Sequence, residues 1–166
     1  RFEREVQLCS RLSHPNTIEI YDYGRTRDGT FYYAMEFLDG LSLEELVLRE
    51  GRMPVSRVVH VLRQVCGSLK EAHDHGLVHR DVKPHNLMLC RHGGEFDVVK
   101  VLDFGLVKNL EDKSEELTQA GLFMGSPKYM SPEQVTSGEI SARTDVYAIG
   151  IILYEMLCGK PPFEKK

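Results

Sequence analysis

Asp81, Lys83, Asn86 and Asp103 place two carboxylates, an ammonium and a carboxamide at short spacings near the middle of the chain. Such groups suit phosphoryl transfer, in which positioning and charge neutralisation matter more than covalent catalysis. In that reaction Asp81 would accept a hydrogen bond from the attacking hydroxyl and orient it in line. Lys83 would hold the transferred phosphoryl group and spread its negative charge. Asn86 lies five residues after Asp81, which lets the loop between them turn back so that both face one site. Its amide oxygen is a hard, neutral ligand for Mg²⁺, and Asp103 supplies a charged one. Gly105, after Phe104, frees the backbone to switch conformation.

These residues belong to three motifs. The first is His79-Arg80-Asp81-Val82-Lys83-Pro84-His85-Asn86. The second, Asp103-Phe104-Gly105, follows the strand-like run Val98 to Leu102. The third is Gly125-Ser126-Pro127-Lys128-Tyr129-Met130-Ser131-Pro132-Glu133. The first two are parts of a known signature set. Three motifs in the correct order are far more specific than one Asp-Phe-Gly tripeptide. From end to end the chain resembles the eukaryotic-type, or Hanks-type, Ser/Thr protein kinases. Ser131-Pro132-Glu133-Gln134 is worded most like the bacterial members. The resemblance implies a two-lobed fold and ATP-dependent phosphorylation of Ser or Thr in proteins. It implies ATP and Mg²⁺ as cofactors, with Mn²⁺ able to substitute.

Further roles follow from the resemblance. Lys83 marks the Ser/Thr branch, since tyrosine kinases usually place Arg or Ala nearby. Glu5 falls at the position of the partner of the ATP-binding Lys. Met35 matches the residue that guards the back of the nucleotide pocket. Glu36, Phe37 and Leu38 match the hinge whose backbone contacts adenine, and Met88 packs under the purine as a soft apolar floor. Cys9, Ile20, His79 and Phe104 match the stacked side chains that couple the lobes, anchored by Asp145. Ser126 stands where the family usually has Thr, and its hydroxyl can meet Asp81 and Lys83 with less rotamer restriction. His85 stands where several basophilic kinases have Glu, so no strong preference for Arg before the acceptor is implied.

Arg80 implies pairing with a phosphate on the activation loop. Ser126 and Ser131 lie inside the motif that shapes the substrate site. Ser114 sits among Glu111, Asp112, Glu115 and Glu116, which repel added negative charge. Thr118 is therefore the expected phosphorylation site, acting alone because Ala120 occupies the second position often filled by Thr in bacterial relatives.

The Gly-rich phosphate loop and the Lys that pairs with Glu5 do not occur among the 166 residues, and Gly93-Gly94 is no substitute. The chain is therefore expected to be an interior segment of a kinase domain. The loop and Lys are expected upstream, and further large-lobe helices and an Arg partner for Glu133 downstream. The competing reading is a pseudokinase serving as a binding or scaffold module, decided by that upstream Lys. Intact Asp81, Lys83, Asn86 and Asp103 weigh against it. A small-molecule phosphotransferase finds no support, because the third motif is nearly complete.

The elements that must hold these groups follow from periodicity. Phe2, Val6, Cys9 and Leu12 recur on one helical face, ended by Ser13-His14-Pro15-Asn16. Ile18 to Tyr23 and Phe31 to Leu38 read as strands joined by an Asp28-Gly29 turn. Ser42 and Glu45 form a capping box for a short helix. From Pro54 a long amphipathic helix carries Val55, Val58, Val59, Val61, Leu62, Val65, Cys66, Leu69 and Ala72, with Gly76 beyond its end. Leu77-Val78, Leu87 to Leu89 and Val98 to Leu102 are strand-like, and residues 108–120 read as a loop. Asp145 to Cys158 is apolar on nearly all sides, which predicts a buried core helix. The fold class is α+β. Residues 1–35 are assigned to the small lobe, 36–40 to the hinge and 41–166 to the large lobe.

Composition narrows the partners. Lys and Arg number 21 against 25 Asp and Glu, a net charge of −4, so nucleic acid is not an expected partner. The 4 cysteines form no C-x-x-C pair, which argues for reduced, mostly buried thiols. Zinc is not expected, because His73 and His75 at a helix end point differently. The apolar run Val146 to Cys158 is shorter than the ~20 residues of a membrane span. The catalytic part is expected in the cytoplasm, with a membrane anchor or a homodimer left open for a longer protein.

Overall fold

The computed structural model of the chain describes residues 8–104 and 127–163. Strands β1 (Ile20–Arg25) and β2 (Phe31–Met35) form an antiparallel hairpin. The Gly29 N–H donates to the Thr26 carbonyl at 3.0 Å, and Gly29 has φ of 86°, a left-handed turn position suited to glycine. Strand β2 stops at Met35 rather than Leu38, because its partner β1 begins at Ile20, already opposite Met35. Residues 36–39 then run as an irregular link, with Phe37 93% exposed.

The second sheet has the order β3 (Gly40–Ser42), β4 (Leu87–His92), β5 (Glu95–Val101), all antiparallel. Its two faces differ. Leu87, Leu89, Val99 and Val101 are buried, whereas Met88 and Lys100, which pair across the strands, lie on the other face. A parallel bridge from Thr17 to Val101 ties the segment before β1 to this sheet.

Helix α1 (Leu43–Glu50) opens with the Ser42/Glu45 capping box and buries Leu43, Leu46 and Val47. Helix α2 (Val55–Asp74) has Pro54 as its N-cap and turns Val58, Val61, Leu62, Val65, Leu69 and Ala72 inward, whereas Val55, Val59 and Cys66 of the same apolar set are exposed, because they lie off the stripe that meets the core. Leu77-Val78 forms no strand. The Leu77 N–H instead donates to the Ala72 carbonyl and closes the end of α2.

A short helix α3 (Pro132–Val135) precedes α4 (Ala142–Cys158). Ser141 caps α4, and Gly159 ends it with φ of 74°. Helix α4 is not buried all round. Ala148, Ile151, Ile152 and Met156 are buried, but Val146, Leu153, Tyr154 and Leu157 are exposed, because α2 covers one side of the helix only. Cysteine burial is also split: Cys9 and Cys90 are buried, Cys66 and Cys158 exposed, and none of the four forms a disulfide among the described residues. Among the described residues no helix is long and apolar enough to cross a membrane.

Candidate active site

The site is built on Asp145, in the first turn of α4 and 1% exposed. One of its oxygens accepts the Arg80 N–H at 2.9 Å; the other accepts the His79 N–H at 2.9 Å and His73 Nε2 at 2.7 Å. These donors and the positive end of the helix dipole compensate a carboxylate removed from water. Arg80 has φ of 69°, a left-handed conformation that costs about 1–3 kcal/mol in a residue with a side chain. It reverses the chain so that His79 faces the core.

His79 is fully buried and packs on the Phe104 ring with centroids 4.7 Å apart. Its Nε2–H donates to the Leu102 carbonyl at 2.8 Å, and Nδ1 accepts the Asp81 N–H at 3.3 Å. Those two bonds require the neutral ring, and burial pushes the imidazole below its ordinary pKa range. One side chain thus joins the loop before Asp81 to the strand end before Asp103.

Asp81, Lys83 and Asn86 form one cluster. Lys83 Nζ lies 2.7 Å from Asp81 Oδ2. Asn86 is 3% exposed, and its Nδ2 donates to the Asp81 carbonyl at 2.9 Å and to Oδ2 at 3.2 Å. A 3₁₀ turn, Pro84–Asn86, makes this return possible. Because the amide nitrogen is committed to Asp81, the carboxamide oxygen is the atom left for a cation. The Leu102 N–H donates to the Asn86 carbonyl at 2.9 Å, which fixes the next residue, Asp103, beside the cluster. Asp103 has φ of 52°, and the following Phe104 is buried, its carbonyl accepting from Cys9 Sγ at 3.8 Å. The Asp103 carboxylate and the Asn86 amide oxygen are donors of the kind a hard divalent cation takes.

Met35 and Ile20 line a water-sized cavity of about 10 Å³ with Cys9, Phe104, Tyr33 and Asp103. Met88 is half-buried on the face of the second sheet away from the core. The Glu36 carboxylate turns to Lys100, Phe37 stands in solvent and Leu38 is half-buried. The Glu133 carboxyl is held below the usual range by its own backbone N–H and by Thr144 Oγ1, which donates to it at 2.8 Å. His85 lies 3.5 Å from Glu44. His73 and His75 do point differently: His73 meets Asp145, while His75 Nδ1 meets the Glu71 carbonyl. Glu5, Gly105, Thr118, Ser126 and the loop 108–120 lie outside the described residues.

Four neighbours of the site escaped the motif reading. Tyr33 OH lies 3.5 Å from Asp103 Oδ1, Gln134 Nε2 donates to the Arg80 carbonyl at 2.7 Å, and His73 and Lys100 make the contacts above. A signal existed only for Tyr33, two residues before Met35 and so on the same strand face.

The protein kinase domain profile matches residues 1–166. Serine/threonine-protein kinase pkn3 of Myxococcus xanthus is 44% identical over 99% of this chain, and PknB of Mycolicibacterium smegmatis 39% identical over 98%. The chain spans 30% and 26% of the length of these two relatives. The crystal structure of the Mycobacterium tuberculosis PknI kinase domain superposes with a TM-score of 0.78 at 29% identity, covering 100% of this chain and 59% of that one. With the profile matching throughout and the His79, Asp103 and Glu133 motifs in place, the chain belongs to the protein kinase domain family.

Proposed function

We propose that the protein transfers the γ-phosphoryl group of ATP to Ser or Thr hydroxyls of protein substrates. The observation that carries this reading is the Asp81–Lys83–Asn86 cluster, with Asp103 held beside it. Asp81 receives the substrate hydroxyl and aims its oxygen at the phosphorus. Lys83, already at the Asp81 carboxylate, sets an ammonium where charge builds up on the transferred group. Asn86 and Asp103 would hold Mg²⁺, which would supply positive charge to offset that of the phosphates.

Met35 stands at the back of the nucleotide pocket, Glu36 and Leu38 offer backbone groups to adenine, and Met88 lies beneath it. Glu5 pairs with the ATP-binding Lys. Residues 1–35 act as part of the small lobe, 36–40 as the hinge and 41–166 as part of the large lobe. Arg80 receives a phosphate placed on Thr118 by autophosphorylation, and the Ser126 hydroxyl contacts Asp81 and Lys83. The catalytic part works in the cytoplasm, a reading supported by four cysteines that form no disulfide among the described residues.

The test is incubation of the full-length protein with γ-labelled ATP, Mg²⁺ and a mixed Ser/Thr/Tyr peptide library. Label on Ser and Thr that is lost in Asp81→Asn supports the reading. Label on Tyr alone, or no label with Asp81 intact, refutes it.

A further inference from the structure

Lys100 is a lysine where the site chemistry does not require one. Its strand neighbours Val99 and Val101 are wholly buried, so Lys100 points to the opposite face of β5, the face of its cross-strand partner Met88. Three residues further on is Asp103. Lys100 Nζ lies 2.6 Å from Glu36 Oε1. That same Oε1 accepts the Glu19 N–H at 2.9 Å, and the Glu36 N–H donates to the Glu19 carbonyl at 3.0 Å. Glu36 thereby clamps the residue just before β1, and Lys100 fastens the clamp to β5. The two side chains are only 18% and 17% exposed, against 74% and 61% for the surface pair Lys70–Asp74. Solvent and salt screen the inner pair far less.

We infer that Lys100 is a positioning residue for the nucleotide: through Glu36 it fixes the link between the hairpin and the second sheet at a set height above Met88. This rests on the kinase reading, in which Glu36 presents backbone to adenine and Met88 lies below the ring. The spacing between link and floor sets how well a planar base fits. The transfer cluster is held separately, by His79 and Asp145. Loosening the link therefore weakens nucleotide binding and leaves the chemical step alone.

The test uses the full-length protein with Lys100→Met, Lys100→Arg and Glu36→Gln. Readouts are the Kd for ADP by calorimetry, the KM for ATP against kcat, and amide hydrogen exchange at Glu19 and Glu36. Lys100→Met should raise Kd and KM about five- to tenfold with kcat within about twofold, the pattern of lost uniform binding. Exchange at Glu19 and Glu36 should quicken. Glu36→Gln should quicken the same exchange and weaken ADP binding, and Lys100→Arg should restore affinity. If Lys100→Met does not fold, Lys100→Gln carries the kcat comparison. Unchanged ADP affinity in a folded variant, or kcat falling as much as affinity, overturns the role of Lys100 while the unsubstituted protein still binds ADP. No ADP binding by the unsubstituted protein overturns the kinase reading and this inference together.

Discussion

The buried carboxylate of Asp145 accepts the backbone N–H of Arg80 at 2.9 Å, across 65 residues of sequence. One acidic side chain at the start of α4 thus fixes a left-handed residue immediately before Asp81. The strained backbone persists because its N–H and that of His79 have charged acceptors that water would otherwise replace.

Asp145→Asn should therefore destabilise the protein. An amide offers one acceptor atom where two oxygens now serve three donors, and its NH₂ faces an N–H. A loss of about 2–4 kcal/mol is expected in urea unfolding. A change below about 0.5 kcal/mol, the scale of ordinary surface substitutions, would show that Asp145 does not hold the loop.

His79 gives the protein a pH dependence with a definite sign. Burial lowers its pKa in the folded state, so between that value and the unfolded value of about 6.5 the unfolded chain binds the extra proton. Its stabilising contribution is complete above about pH 6.5 and is lost as pH falls below it, by up to ~1.4 kcal/mol per pH unit. Urea midpoints measured from pH 7 to pH 5 should fall more steeply in the natural protein than in His79→Leu. Equal slopes would mean that His79 takes up its proton as readily in the folded as in the unfolded chain.

Asp81→Asn should lower kcat by ~10² or more with a smaller effect on the KM for ATP, in keeping with a general-base and positioning role. Asp103→Asn should instead raise the Mg²⁺ concentration needed for half-maximal rate. Steady-state kinetics over an Mg²⁺ series separate the two. Near-natural turnover in both variants would remove these residues from the site.

Phosphopeptide mapping of the active full-length protein should find phosphate on Thr118, and Thr118→Ala should lower activity. The reason is charge: a phosphate paired with Arg80 orders the loop it belongs to. Full activity in Thr118→Ala with no phosphate at that position would refute the mechanism.

Local chemistry was readable from the amino-acid order alone. The Ser42/Glu45 capping box, the Asp28-Gly29 turn and the inward face of α2 depend on residues a few positions apart, where covalent geometry dictates who meets whom. The family was readable too, because the motifs that carry Asp81, Lys83, Asn86 and Asp103 are made of residues adjacent in sequence and follow one another in a fixed order. Tertiary structure alone decided the rest. It ended β2 at Met35, where its partner strand runs out, and left one face of α4 exposed where only one side meets α2. It brought His73 to Asp145 over 72 residues, Tyr33 to Asp103 over 70 and Lys100 to Glu36 over 64. No periodicity encodes such pairs. Their partners are chosen by how sheets and helices stack once the core has closed, and a charge brought into that interior keeps its place only where an opposite charge or a donor arrives with it.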